Sequence, residues 1–217
     1  MAGIFYELEA TKLLLKTLKP GSVFLDVGGN IGFLSLTAAA IVGDTGKVIY
    51  AEPNAKLAAR FKASLDANSI HNVEIVEAAI GEQEGLTSLS QGEHHGTTQL
   101  ADGVDIKIVT GDSLLRSVPD GAPLLVKIDV EGYEEKVLFG MPAIRARQNT
   151  SFLVEITDAW LKQRGGGAKS LIDMMMKDGF RVFHPRALRD GSLQLSEVRE
   201  PLPLHQYDLV FARDPIL

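Results

Sequence analysis

Apolar and polar positions run along the chain in blocks that switch between two periods. From Ile4 to Leu18, the residues Ile4, Leu8, Leu14, Leu15 and Leu18 recur at helical spacing, which predicts an amphipathic helix ended by Pro20-Gly21. Val23-Phe24-Leu25 is short and wholly apolar, the pattern of a buried parallel strand. A glycine-rich turn, Asp26-Val27-Gly28-Gly29-Asn30-Ile31-Gly32, then leads into a helical stretch from Phe33 to Val42. The alternation continues with a strand over 47–51, a helix over 55–67 with Leu57, Phe61 and Leu65 on one face, and a strand over 73–76. The polar segment from Gly85 to Asp102 reads as a hairpin or loop excursion. Strands are predicted at 106–109, 124–128 and 151–156. Helices are predicted at 134–144, bent or ended early by Pro142, and at 170–177, stopped by Gly179. The last two strands, 180–183 and 207–211, have no helical pattern between them, so a terminal antiparallel pair is expected.

Strands that alternate with helices imply an α/β domain with a mainly parallel sheet and helices on both faces. Ligands of such sheets bind at the C-terminal strand ends. The loops after Leu25, Ala51, Val76, Ile128 and Ile156 should therefore line one cleft. With 217 residues, a single domain over 1–217 is expected, with the first 20 residues forming a helix packed on the core.

Composition narrows the chemistry. The chain has no cysteine, which rules out disulfides, thiolate zinc sites, iron–sulfur clusters and cysteine nucleophiles. Lys and Arg number 22 against 28 Asp and Glu, a net charge of −6. An acidic chain without a basic stripe is poorly suited to nucleic acid, so no nucleic-acid partner is expected. The longest apolar stretch, about Leu36 to Val42, is too short to span a bilayer, and Glu7 and Glu9 interrupt any secretory signal. The expectation is a cytoplasmic protein without a membrane partner. The sequence sets no oligomeric state.

Three clusters carry candidate chemistry. The first is the turn with Asp26, Gly28, Gly29, Asn30 and Gly32. Glycines let backbone approach a ligand closely. The spacing is not the dinucleotide fingerprint, and an acid at the strand end would repel a pyrophosphate. It suits an ammonium group such as that of S-adenosyl-L-methionine. The second is Glu52, which lies 20 residues after Gly32, ends the second strand and abuts Pro53. An acid there hydrogen-bonds ribose hydroxyls. Together they indicate an adenosine-type ligand without separating NAD from S-adenosyl-L-methionine. The third is Lys127-Ile128-Asp129-Val130-Glu131-Gly132-Tyr133-Glu134, a charged run at the mouth of an apolar strand. Asp129 falls on the cleft side, whereas Glu131 and Glu134 also suit a helix start.

These residues together resemble the FkbM family of S-adenosylmethionine-dependent methyltransferases. The resemblance extends from about Tyr6-Glu7 to Glu155. It is carried by Leu18 to Gly32, by Ala79-Ile80-Gly81 and, most specifically, by the 127–134 octapeptide. Asp112 also matches a recurring family acid. Two departures are visible: the family often has alanine where Gly29 stands, and leucine where Gly111 stands. The resemblance implies a Rossmann-like class I methyltransferase fold, with seven strands in a mainly parallel sheet and the last antiparallel. It implies that Asp26 and Gly28 to Gly32 hold the methionine part of the cofactor. Glu52, with Pro53 beside it, would take the ribose, and Ala79 and Ile80 would border the adenine. Asp129 would lie near the transferring methyl, and Tyr6 and Glu7 would cover the cofactor.

The implied reaction is displacement at a sulfonium methyl, where positioning supplies much of the rate. The resemblance points to O-methylation of a small-molecule hydroxyl, on a sugar or natural-product scaffold. A hydroxyl acceptor gains from a general base or a metal. Asp129 and Glu155, which end neighbouring core strands, are the catalytic candidates. With Asp158 they could also form a Mg²⁺ site, a less favoured reading. His94-His95 reads as a solvated pair, with a base role as its alternative. Trp160 and Arg164 to Gly167 read as an acceptor-side wall or lid. Two other functions stay open: an NAD(P)-dependent oxidoreductase with an irregular glycine loop, and a non-catalytic nucleoside-binding module.

Overall fold

The computed structural model describes residues 7–88 and 105–214. Tyr6 and the pair His94-His95 lie outside the described residues. The chain begins with α1 (Leu8–Thr17), β1 (Val23–Val27), α2 (Phe33–Val42), β2 (Lys47–Ala51), α3 (Ala55–Ala67) and β3 (Val73–Val76). Three short strands follow, β4 (Ala79–Gly81), β5 (Gly85–Ser88) and β6 (Asp105–Thr110), then a 3₁₀ turn over Asp112–Ser117. Next come β7 (Leu124–Ile128), α4 (Glu134–Phe139), α5 (Pro142–Ala146), β8 (Thr150–Ile156), α6 (Asp158–Gln163) and α7 (Ala168–Lys177). The chain closes with β9 (Arg181–Ala187), β10 (Leu193–Val198) and β11 (Tyr207–Ala212).

The main sheet runs β10-β9-β11-β8-β7-β1-β2-β3. From β3 to β8 every neighbouring pair is parallel. The last strand, β11, is antiparallel to both β8 and β9. Strands β1 and β7 are buried along their whole length, which explains why they are apolar apart from Asp26 and Lys127. On one face Leu25, Val126, Ile128 and Val154 pack with Leu138, Leu171 and Ile172 of the following helices. On the other, Phe24, Val48, Leu125 and Leu153 pack with Leu13 and Leu14 of α1 and with Leu34 and Ala38 of α2.

Several boundaries differ from the sequence pattern. Helix α1 starts at Leu8, because Glu7 takes a left-handed backbone (φ 52°). It buries Ala10, Leu13 and Leu14, while Leu15 is exposed. The helix expected over 134–144 is two short helices, with Pro142 in the first turn of α5, where its missing N–H costs nothing. A Cβ on Gly140 would lie 2.0 Å from the Gly81 carbonyl oxygen, so this break lets the chain close onto β4. The strand near 106–109 is β6, which leaves the main sheet and pairs with β4 and β5. The sheet has eight strands where seven were expected; the eighth, β10, pairs antiparallel on the outer edge of β9.

Candidate functional site

Register places the charged residues. Asp26 lies opposite Lys127 on β7, Lys127 opposite Leu153 on β8, and Glu155 opposite Asp208 on β11. Side chains in a strand alternate faces with a period of two. Asp26, Lys127, Glu155 and Asp208 therefore share the face that carries α1, at the C-terminal ends of the parallel strands. Asp129, just past β7, joins them: the Lys127 ammonium donates to its Oδ2 at 3.0 Å.

The glycine turn is held by the protein itself. Gly28 has φ +79°, and a Cβ there would fall 1.9 Å from the carbonyl oxygen of Asp129. A Cβ on Gly29 or Gly32 would strike the ring of Tyr50 or Phe61, at 2.3 and 2.1 Å. The glycines thus let the turn pack between the exit of β7 and two aromatic rings. Packing against the protein is a second reason for glycine here, beside the close approach to a ligand expected from the sequence. It also gives a reason for glycine where the family often has alanine, since Tyr50 fills the space beside Gly29.

Glu52 is buried and closes the turn. Its Oε2 accepts from the Asn30 N–H at 3.0 Å, and its Oε1 accepts from the Asn54 N–H at 2.9 Å. Each oxygen keeps acceptor capacity beyond its one backbone partner. Burial pushes its carboxyl above the usual range. Pro53 stands between Glu52 and the Asn54 cap of α3. Asp26 is also buried, and its Oδ2 accepts from the Ser35 hydroxyl at 2.6 Å. Its Oδ1 is buried with no hydrogen-bond partner among the described residues. Burial again pushes the carboxyl up, opposed by the charge of Lys127. Glu7, Asp26, Gly29, Asn30, Phe33 and Lys127 line one small cavity, with Ile31 exposed at its mouth.

The two catalytic candidates lie side by side: Ile128 pairs with Val154, so Asp129 and Glu155, one residue further on, end neighbouring strands on the same face. Burial, then the charge of Asp129, pushes Glu155 up to about 8; Asp208 adds to this and a hydrogen bond with Gln206 opposes it. Asp208 itself is pushed up to about 7, mainly by burial. Burial works against the charge of Lys127, but Asp129, Asp26 and Glu7 outweigh it and keep the ammonium charged well above the usual lysine range. Glu134 is buried, and its Oε1 accepts from the N–H groups of Gly132 (2.9 Å) and Val130 (3.3 Å), fixing the turn after Asp129. Within that turn Glu131 is left-handed, with φ 52°.

Other candidates lie apart. Asp158 is turned away from Asp129 and Glu155: its carboxylate accepts from the Ala168 N–H at 2.8 Å and pairs with Lys162 at 2.6 Å. Among the described residues no group of three or more such side chains is placed to hold a metal ion. Asp112 caps α5, accepting from the Ala143 and Ile144 N–H groups at 2.8 and 2.9 Å. Ile80 packs in the main core and Ala79 pairs with Ile108, so neither lines the small cavity. Trp160 backs the turn after Asp129, its backbone 2.9 Å from where a Gly132 Cβ would stand. Arg164 stacks on Tyr133 at 4.7 Å. Asp208 and Lys127 were given no role by the sequence; a charge inside an otherwise apolar strand was the available signal in both cases.

A parallel β3-β2-β1-β7-β8 core continued by antiparallel β11, with acids at the ends of β1 and β2, is the class I methyltransferase fold. The chain belongs to the methyltransferase FkbM domain family, whose model matches residues 26–182. A similar curated protein is the hexuronic acid methyltransferase AglP of Haloferax volcanii, 30% identical over 154 residues. That match covers 68% of this chain and 61% of AglP, so the chain spans less than two thirds of its relative. Among solved structures, the methyltransferase FkbM from Methylobacillus flagellatus aligns with TM-score 0.56 at 14% identity, over 90% of this chain and 43% of that one. A Streptococcus mutans protein solved in complex with SAH aligns with TM-score 0.54 at 10% identity, over 96% and 98%. No helix among the described residues is long and apolar enough to cross a membrane.

Proposed function

We propose that the protein is an S-adenosyl-L-methionine-dependent methyltransferase, built as one domain, that methylates a hydroxyl oxygen of a sugar or related small molecule. The observation that carries this is the buried Asp26 Oδ1, partnerless among the described residues, beside a glycine turn that Glu52 closes. A buried carboxylate oxygen without a donor is costly, and an ammonium group satisfies it. Family membership and the name of AglP support the same reading.

In this reading Asp26 takes the cofactor's ammonium, and the backbone of Gly28 to Gly32, Asn30 included, lies along its methionine part. Glu52 accepts from the ribose hydroxyls with its remaining lone pairs, and Pro53 stiffens its approach. Ala79 and Ile80 border the adenine side through the loop after β3. Glu7, at the start of α1, covers the cavity. Bound there, S-adenosyl-L-methionine supplies an electrophilic methyl group on a sulfonium. Asp129 orients the acceptor hydroxyl and Glu155 takes its proton. Asp158 is engaged by Ala168 and Lys162, so these two carboxyls act without it.

The test is an acceptor screen with methyl-labelled S-adenosyl-L-methionine over neutral sugars, hexuronic acids, natural-product phenols and RNA. Label is expected as an O-methyl ether on a sugar, and Asp129→Asn is expected to slow transfer by about 10²-fold or more. Label on RNA, or on a carboxylate as an ester, would overturn the reading.

A further inference from the structure

Lys127 pairs with Asp129, Asp208 stands beside Glu155, and the charge of Lys127 reaches Asp208 as well. Lys127 is buried in the middle of the sheet, one strand from Asp26, with its ammonium 3.0 Å from Asp129. Asp208 is the direct register partner of Glu155 on the antiparallel last strand. A cation beside one carboxyl and an anion beside the other act on a proton there in a fixed direction. The cation is paired with Asp129, and the anion disfavours charge on Glu155.

Taking Asp129 and Glu155 as the acceptor-side carboxyls, as above, we propose that Lys127 and Asp208 are opposed positioning residues: together they place the proton on Glu155 and set how readily Glu155 gives it up. Among the described residues the charged groups facing this pair are few. Lys127 and Asp129 come from β7 and its exit, Asp26 from β1, and Asp208 from β11. Glu7 and Glu9, at the start of α1, add negative charge near Asp208. His184 on β9 places its Nδ1 3.3 Å from the Asp208 carbonyl oxygen. Lys127 is the cation within this group and holds it together against the repulsion of its acids.

Function follows from the balance. Methyl transfer forms an O–C bond on the acceptor while the C–S bond breaks, leaving its electron pair on the donor's sulfur. The acceptor's hydroxyl proton must go to an ionised carboxylate. Glu155 can receive it only after losing its own proton, then releases it to solvent. Burial and the charge of Asp129 hold Glu155 near 8, so transfer should rise with pH through that region.

The experiment is a carbon-13 NMR titration of the glutamate side-chain carboxyls in the full chain without acceptor, with Glu155→Gln assigning the resonance. The pH profile of single-turnover transfer is read beside it. In the wild type Glu155 is expected to titrate near 8. Asp208→Asn should move that midpoint down by roughly one unit, and Lys127→Met should move it up by a similar amount. Lys127→Arg should restore the wild-type midpoint. Should Lys127→Met fail to fold, Asp208→Asn and Lys127→Arg decide alone. An unmoved midpoint in Asp208→Asn, or midpoints that shift in the same direction in Asp208→Asn and Lys127→Met, overturns the proposal. Opposed shifts in the titration support it, even if no hydroxyl acceptor is ever methylated; that second result would count only against the O-methylation reading.

Discussion

Gly28 and Gly43 both take left-handed backbone, at φ +79° and +62°, yet their surroundings differ completely. A Cβ on Gly43 meets nothing within 4 Å, whereas one on Gly28 meets the Asp129 carbonyl oxygen at 1.9 Å. Gly43→Ala should therefore cost only the backbone strain, about 1–3 kcal/mol, and leave cofactor binding intact. Gly28→Ala adds a clash that can be relieved only by moving the exit of β7. It should cost about 3 kcal/mol or more in thermal unfolding and abolish binding of S-adenosyl-L-methionine in whatever fraction stays folded. Equal losses from the two changes would mean that the turn is not packed on Asp129. The acid–glycine–acid pattern of Asp26, Gly28 to Gly32 and Glu52 was legible in the sequence because it is local and tied to strand ends. What the glycines touch was not, since Tyr50, Phe61 and Asp129 approach from other strands and helices.

At the level of elements, the turn from Asp129 to Tyr133 depends on one side chain from α4. Glu134 accepts two N–H groups from residues just before its own helix, and burial pushes its carboxyl up to about 7. Glu134→Ala would leave those donors without their acceptor and should cost about 1–3 kcal/mol. Turnover should fall further than cofactor affinity, because Asp129 loses its fixed position while Asp26 and Glu52 do not. Calorimetry and single-turnover kinetics on the same sample separate the two effects. From sequence, Glu134 reads equally well as a helix-start charge, because both roles want an acid in the first turn. The strands divide in the same way. β1, β2, β7 and β8 were legible because burial leaves them apolar but for single charges, and β3 because Val73, Ile75 and Val76 outnumber Glu74. β10 was missed because its edge position leaves Gln194 and Glu197 exposed among Leu193, Leu195 and Val198. β6 was recognised as a strand but not as a member of a separate sheet, since partner choice lies outside the local pattern.

Taken as a whole, the molecule concentrates acids on one face of its sheet and sets Lys127 among them. Glu134 and Asp208 are raised to about 7 and Glu155 to about 8, each mainly by burial. A carboxyl raised on folding keeps a proton that the unfolded chain releases. Its contribution is full below the ordinary carboxyl range near 4 and is lost as pH rises through the folded value. These three groups should therefore make the protein less stable between about pH 5 and 8, opposite to ordinary salt-bridged carboxylates. Asp158 and Glu74, held below their usual range, act the other way only in acid. Thermal midpoints should fall from pH 6 to pH 9, and Glu155→Gln should flatten that fall. A midpoint that rises over this range would contradict the burial of the cluster.

Calorimetric titration of the full chain with S-adenosyl-L-methionine, its demethylated product and NAD tests the central claim most directly, since it asks what the Asp26–glycine–Glu52 cradle holds without needing an acceptor. The account predicts saturable one-to-one binding of the first two and none of NAD. Binding of S-adenosyl-L-methionine should weaken by about 1–3 kcal/mol in a folded Glu52→Gln, the range for hydrogen bonds to a charged group. Binding of NAD in preference to S-adenosyl-L-methionine, or unchanged affinity in Glu52→Gln, would contradict it.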